Sequence, residues 1–419
     1  MNMKSKILSI LNGILTLVVN LCRFTLSAVF LASGFVKAVD PTGMGYKINA
    51  YLHNWGFSFS DDAVVLIVLA VALATLEFLL GIYLLLGIRR KLTTITTTVF
   101  VGAMTFITVY IYKTNAVPDC GCFGDALTLT NQQTMYKNFI LFALCLPVVF
   151  FPQRIFRLIS QRNQWITSMY ALVYIVILGV YTTYYLPVID FMAYKTGTDL
   201  KTVRTNPDTK LLEELGEKNF GEILNLGFFD GQEDVTDEIL NQDKYTFLLI
   251  SPRLETADDG VADRINDLKD ISDDKNYLLY CITASDSAAI KQWTDHTGAA
   301  YNFLIGQEEQ LKSIVRSNPG LILLKDGKIL NKWSKNTLPI DPNGNLDAKE
   351  LAATATNVQD ILLKLALWFF VPLFLIIFAD VLWNAAKRLH DYNIQRQIDK
   401  SKAKKGNELK RSNLNNSEN

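Results

Sequence analysis

Six long apolar stretches alternate with polar segments along the chain. They lie at residues 10–36, 62–88, 93–112, 137–152, 165–187 and 361–383. Because a helix needs about 20 apolar residues to cross a hydrocarbon core of about 30 Å, each stretch is predicted to be a transmembrane helix. The fourth is short and is expected to begin within the preceding loop. The chain is therefore predicted to be a multi-pass protein of the lipid bilayer, and its first stretch is too long for a cleaved signal peptide.

Basic residues in the polar connections predict one orientation. They cluster at 89–91, 154–162 and 387–411. Because lysine and arginine are enriched in short cytoplasmic loops, these segments and both termini are expected to be cytoplasmic. The loops 37–61 and 113–136 and the long segment 188–360 are then expected on the periplasmic side of a bacterial inner membrane.

The outer segment has the alternating pattern of an α/β domain. Strands are predicted over 245–251, 277–283, 301–305, 321–325 and 328–333, and helices over 208–218, 255–272, 286–297, 307–316 and 347–358. The first strand is apolar throughout, which predicts burial on both faces. Asp326-Gly327 predicts a hairpin turn between the last two strands.

This order of elements, βαβα followed by a hairpin, resembles the thioredoxin fold. The run 318–328 looks like its proline–strand–turn signature, and the resemblance implies a cis peptide bond at Pro319. It also implies a Cys-x-x-Cys pair after the first core strand, where a helix start stabilises the thiolate. Residues 251–254 stand there as Ser-Pro-Arg-Leu, without sulfur. The domain is therefore expected to be a binding module or a scaffold that cannot run dithiol exchange by itself.

Composition argues against a nucleic-acid-binding surface and against a metal site. The 419 residues carry 41 basic and 41 acidic side chains, so no net charge favours a nucleic-acid partner. The five cysteines and three histidines are scattered, so no metal site is predicted. Cys22 and Cys145 fall within apolar stretches and are interpreted as small buried hydrophobes, the alternative being a second redox pair inside the membrane.

Two of the cysteines stand one residue apart in a polar loop. The run 119–125 reads Asp-Cys-Gly-Cys-Phe-Gly-Asp, between the third and fourth apolar stretches. A disulfide between Cys120 and Cys122 closes a very small ring, so it would be strained, labile and oxidising. Gly121 removes the side-chain obstacle to such a turn. Because the loop is expected to face an oxidising compartment, we predict a disulfide and a catalytic pair here.

Charged residues inside the first two apolar stretches form a candidate intramembrane polar site. In the first stretch, polar and small residues recur at helical spacing at Asn20, Arg23, Ser27, Gly34 and Lys37. Arg23 and Glu77 each lie about 20 Å from the outer end of their span, so they are predicted to pair. The pair either fixes helix register or helps to bind a quinone-like or lipid ligand. Lys37 is included in this candidate site, the alternative being that its side chain extends to the outer surface.

Three motifs in this order resemble the MauE/DoxX family of membrane proteins. They are the run from Arg23 to Pro41, the run 77–81 with 86–87, and the run 120–125 with 137–138. The resemblance covers residues 8–152 and implies a four-helix membrane bundle. It also implies a role in disulfide chemistry or in the maturation of a periplasmic protein.

These observations predict a membrane α-helical bundle joined to a thioredoxin-like extracytoplasmic domain. The expected divisions are 1–160, the MauE/DoxX-like bundle; 161–190, the fifth span; 191–358, the outer domain; 359–386, the sixth span; and 387–419, a basic tail. The first hypothesis for function is disulfide exchange with a periplasmic protein, with electrons leaving to a quinone. The alternatives are a non-enzymatic assembly or chaperone protein, and a transporter or lipid-binding bundle, which the lack of a visible broken-helix repeat makes least favoured.

Overall fold

The computed structural model describes most of the chain. Its backbone is described for residues 3–57, 59–61, 63–115, 117, 120–206, 212, 215–340, 346–354 and 358–415, and its side chains for those from 6 to 402. Asp119, most of the helix predicted over 208–218 and the end of the helix predicted over 347–358 lie outside these residues.

Six of the described helices are long and apolar enough to cross a membrane. The helices of the bundle are α1 (Met3–Val39), the short α2 (Pro41–Asn54), α3 (Val64–Leu86), α4 (Arg90–Thr114), α5 (Asn131–Phe150), α6 (Gln164–Tyr184) and the C-terminal helix (Val358–Asn415). All but α2 are of spanning length, which confirms the six predicted spans as apolar helices. Many of their apolar side chains are exposed and form a lipid-facing surface.

The closest helix contact in the bundle is between α1 and α3. A Cβ atom on Gly34 would lie 2.5 Å from the Phe78 amide nitrogen, and one on Gly81 would lie 2.8 Å from that of Leu31. The Ser27 hydroxyl donates to the Gly81 carbonyl at 2.8 Å. Small residues thus let the two backbones approach and set the register between the helices.

Helix α2 starts directly after α1 because two N-terminal signals coincide. The Asp40 side chain accepts a hydrogen bond from the Gly43 amide at 2.8 Å, and Pro41 occupies the first turn. Both features are typical of a helix start.

The C-terminal helix packs against α6 and is held part-way along its length by a buried carboxylate. Asp380 accepts hydrogen bonds from the Ser160 amide at 2.9 Å, the Ser160 hydroxyl at 2.6 Å and the Asn163 amide group at 2.6 Å. Tyr170 and Tyr174 donate to backbone carbonyls of the same helix. These bonds tie the last span to the bundle.

The segment between α6 and the C-terminal helix contains an α/β domain with a seven-stranded mixed sheet. The strands are β1 (Phe228–Asp230), β2 (Glu233–Asp234), β3 (Thr246–Ser251), β4 (Leu278–Thr283), β5 (Asn302–Gly306), β6 (Gly320–Lys325) and β7 (Lys328–Ser334), in the order β2-β1-β5-β4-β3-β6-β7. Strands β3, β4 and β5 are parallel, and the other pairings are antiparallel. Its described helices are Leu200–Thr205, Glu217–Leu224, Thr236–Leu240, Ala262–Asp274, Ser287–Thr297, Glu308–Ile314 and Ala348–Ala353.

The predicted strands all form, and β3 is buried along its whole length as its sequence indicated. Other features of this domain differ from the prediction. The helix predicted from 255 begins only at Ala262, because two short 3-10 turns precede it and the Asp258 side chain accepts from the Gly260 amide. The β1–β2 hairpin was not predicted, since its strands are too short to show a period.

We expect Gly34→Ala to destabilise the bundle by about 1–3 kcal/mol, because the new Cβ would force α1 away from α3. The measurement is the melting temperature of the purified protein in detergent. Gly13→Ala is the matched control, because the space around Gly13 in the same helix is open. Equal melting temperatures for the two variants would contradict the close contact.

Candidate functional site

The loop with the two cysteines connects α4 to α5 and folds into a tight turn. The Gly124 amide donates to the Gly121 carbonyl at 3.0 Å, and φ is +64° at Gly121 and +56° at Gly124. The aliphatic part of Lys47 fills the space beside Gly121, where a Cβ atom would lie 2.7 Å from Lys47 Cδ. The turn therefore favours glycine at Gly121 for both backbone and steric reasons.

The two cysteine side chains lie side by side in this loop. Their Sγ atoms are 2.8 Å apart, and both are free thiols in the structure. Tyr51 of α2 donates a hydrogen bond to the Cys120 carbonyl at 3.0 Å, and Cys120 is 6% exposed. The structure brings Cys120 and Cys122 together, while the disulfide between them stays a prediction.

The surroundings of the two sulfurs shift the pKa values of the two thiols in opposite directions. The hydrogen bond with Cys120 lowers the pKa of Cys122 to about 6, and the ammonium groups of Lys137 and Lys37 act in the same direction, against the effect of burial. The same hydrogen bond, together with burial, raises the pKa of Cys120. These surroundings favour the thiolate at Cys122 and the protonated thiol at Cys120.

A buried ion pair lies directly beneath the loop. Lys37 Nζ lies 2.6 Å from Glu77 Oε2, 2.7 Å from Ser33 Oγ and 2.6 Å from the carbonyl oxygen of Cys122. Ser33 Oγ is also 2.6 Å from both Glu77 Oε2 and the Cys122 carbonyl, and its one proton serves one of them. This network holds the backbone of Cys122 against α1 and α3. The role of Ser33 was not predicted.

The predicted pairing of Arg23 with Glu77 is wrong. Arg23 Nη1 donates to the Phe156 carbonyl at 2.6 Å, and its Nε and Nη2 have no partner among the described residues. Because α1 and α3 are antiparallel, Arg23 lies beside Gly87, just beyond the far end of α3, whereas Glu77 lies beside Lys37. Lys37 is buried in this pair and does not extend to the outer surface.

Asp125 closes the other end of the loop and is held by three cations. It lies 3.0 Å from Lys47 of α2, 3.0 Å from Arg316 of the α/β domain and 3.6 Å from Lys218 of the same domain. Burial by itself would raise the pKa of Asp125, but the three cations outweigh it and lower the pKa. Arg316 also pairs with Asp40. The sequence contains no local signal for this contact between domain and bundle.

A cleft of about 40 Å³ between α1, α4 and α5 reaches Cys122. Apolar side chains such as Phe30 and Phe100 line it, and Lys137 and Asn138 lie at its polar end beside Glu77. This volume holds a few water molecules and is too small for a quinone ring. A quinone would therefore reach Cys122 only if these aromatic side chains moved.

Pro319 lies on a different side of α2 from the cysteines. The Asn318–Pro319 peptide bond is cis, and Ser251 Oγ donates to Asn318 Oδ1 at 2.8 Å. Residues 252–253 and 315–318 line a cavity of about 660 Å³ with one face of α2. The opposite face of α2 carries the residues that contact the cysteine loop. In the described part of the chain, no group of three or more metal-ligating side chains occurs.

We expect Cys122 in the reduced protein to react with iodoacetamide with a pH midpoint near its pKa of about 6. The thiolate is the reactive form, so the rate falls below this pH and is near its plateau at pH 7. Cys120→Ala removes the main cause of the shift and should move the midpoint up by at least about one unit, towards the usual 8.5. Mass spectrometry of the alkylated peptide measures the rate at each pH. An unchanged midpoint in Cys120→Ala would contradict the proposed effect of Cys120 on the pKa of Cys122.

We expect Lys37→Met to destabilise the protein by about 3–5 kcal/mol, because it leaves a buried carboxylate without its partner. The double variant Lys37→Met with Glu77→Met should recover most of this loss, since both charges are then absent. Thermal melting in detergent compares the two. A double variant no more stable than the single one would show that the charges themselves are not responsible.

Comparison with protein families finds one match for this part of the chain. Residues 15–151 match the model of the family described as methylamine utilisation protein MauE. The match includes Lys37, Glu77 and both loop cysteines and ends before the α/β domain. Neither the curated proteins nor the solved structures give a match. The part of the chain that carries the cysteine loop is therefore a MauE-like membrane segment.

Proposed function

We propose that the protein is a membrane thiol–disulfide exchange protein that oxidises or matures periplasmic protein partners through Cys120 and Cys122. The observation that carries this proposal is the pair of sulfurs of Cys120 and Cys122, which lie 2.8 Å apart in a loop at one end of a membrane bundle. The lowered pKa of Cys122 supports it. A low pKa makes a sulfur both a good attacking thiolate at neutral pH and a good leaving group.

The proposed reaction has two balanced steps. A partner thiolate attacks Cys120 of the disulfide form, the bond to Cys122 breaks, and the second partner thiol completes a new disulfide as it displaces Cys120. The partner loses two electrons and two protons. The loop gains both electrons and one proton, as the Cys120 thiol and the Cys122 thiolate, and the other proton passes to water. Restoring the Cys120–Cys122 bond would require an acceptor of two electrons and two protons, and a lipid-soluble quinone is the class of acceptor that we propose.

The distribution of basic residues between the connecting segments supports the proposed compartment. With both termini cytoplasmic, the cysteine loop and the α/β domain lie in the periplasm of a bacterial inner membrane. Thiol oxidation is favourable in that compartment. The quinone is the proposed acceptor because the cleft beside Cys122 lies among membrane-spanning helices. The cleft is too small for a quinone ring, so the proposal requires the aromatic side chains that line it to move.

A second function is favoured by the absence of cysteine at residues 251–254. The sheet order β5-β4-β3-β6-β7 supports a thioredoxin-like domain. The place expected for its cysteine pair holds Ser-Pro-Arg-Leu. This combination suits an anchored assembly or chaperone protein that binds a partner without redox chemistry.

We expect Cys122→Ser and Cys120→Ser each to lower the oxidation of a reduced two-cysteine peptide by at least about a hundredfold, because neither variant can form the loop disulfide. The assay uses the full chain in nanodiscs with a soluble quinone and follows the loss of peptide thiols. Cys281→Ser is the control, since Cys281 is fully buried within the sheet and should be dispensable.

Unchanged peptide oxidation in Cys122→Ser would reject the exchange function. Chemical crosslinking in native membranes then separates the alternatives. A partner captured equally by the wild-type chain and by a variant lacking both loop cysteines would support the non-enzymatic binding function.

A further inference from the structure

We propose that the α/β domain is a lid over the Cys120–Cys122 loop and that Arg316 is its latch. With the latch closed, the loop reacts with small thiol reagents; with it open, the loop also reacts with protein-sized ones. The existence of the lid is independent of the proposed function, but its role in admitting a partner protein rests on that function.

Arg316 connects three parts of the molecule. It follows the helix Glu308–Ile314 of the α/β domain, and its side chain is 8% exposed. Its Nε donates to Asp40 Oδ2 at 3.0 Å, its Nη2 to Asp125 Oδ2 at 3.0 Å and its Nη1 to the Lys312 carbonyl at 2.6 Å. One guanidinium therefore joins the domain to the start of α2 and to the end of the cysteine loop.

The surroundings are shaped for this side chain. A Cβ atom on Gly43 would lie 2.7 Å from Arg316 Nη2 and 2.3 Å from Asp40 Oδ2. The same Asp40 carboxylate accepts from the Gly43 amide and so caps α2. Arg316 also lies over the ring of Tyr46, 5.5 Å from its centre. Replacing Arg316 therefore affects both α2 and the loop.

The remaining contacts between the domain and the bundle include further charged pairs. Lys312 pairs with Asp61, and Lys218 with Asp125. Four clusters of buried apolar residues are described, and none has members both in the sheet and in helices α1–α6. The cavity of about 660 Å³ lies beside Arg316 between the two parts. An interface of this kind separates at little apolar cost.

Loss of the latch should favour the open arrangement for a specific reason. Without Arg316, the Asp40 and Asp125 carboxylates stay largely buried, and Asp40 loses its ion-pair partner. A buried charge without its partner is strongly unfavourable, and lifting the domain returns both groups to water. The domain itself stays folded, because its own two apolar clusters do not depend on Arg316.

The test compares two maleimides with the same chemistry and different size on the reduced full chain in nanodiscs. The small reagent is N-ethylmaleimide, and the large one is a polyethylene-glycol maleimide of several kilodaltons. For Arg316→Met we expect the large reagent to label Cys122 at least about tenfold faster than in the wild-type chain, while the rate with the small reagent changes less than about twofold.

Two further variants keep the result specific. Arg204→Met is the matched control, because Arg204 pairs with Asp237 within the same domain, and both rates should stay as in the wild-type chain. Asp125→Asn removes an ion-pair partner of Arg316 and should also increase the rate at which the large reagent labels Cys122. In the double variant Arg316→Met with Asp125→Asn, the increase in the labelling rate should be smaller than the product of the increases in the two single variants. The two substitutions remove the same interaction.

The unmodified protein provides an independent measurement. Salt screens partly exposed pairs such as Lys218 with Asp125, whose lysine side chain is 42% exposed. The large reagent should therefore react faster as ionic strength rises, and the small one should not. The lid is rejected if the large reagent is as fast as the small one in the wild-type chain, or if both rates rise equally in Arg316→Met. Neither assay needs a partner or a quinone, so rejection of the lid and rejection of the exchange function are distinguishable.

Discussion

The buried pair between Lys37 and Glu77 is the interaction on which the rest of the site depends. Two opposite charges inside a bundle are tolerated because each satisfies the other and because further hydrogen bonds complete them. Here the further bonds go to Ser33 and to the carbonyl of Cys122. The charge pair thus fixes α1 against α3 and fixes the cysteine loop above both, and its ammonium group contributes to the acidity of Cys122.

Above this pair, polar contacts from α2 and the α/β domain complete the loop. Tyr51 and Lys47 contact its backbone from one side, and Arg316 contacts its acidic end from the other. The position of Cys122 is therefore decided by residues from distant parts of the sequence. A family match limited to 15–151 cannot include the contribution of the domain.

Much of the architecture could be predicted from local patterns. The length of the apolar stretches identifies the spans. The periodicity of apolar positions and short apolar runs identify strands such as β3. The spacing of Cys120 and Cys122 identifies the loop. The ion pair was mispredicted because depth within a span does not determine the register between two helices, which close contacts such as Gly34 with Phe78 decide. Arg316 was not predicted because helical period indicates a polar face but not the surface that this face meets.

The two faces of α2 have a geometric consequence for any protein substrate. The cavity and the sulfurs are separated by this helix, whose diameter with side chains is about 10–12 Å. An extended peptide advances about 3.3 Å per residue. A substrate segment seated in the cavity therefore reaches the sulfurs only if its cysteine lies at least about four residues away along the chain.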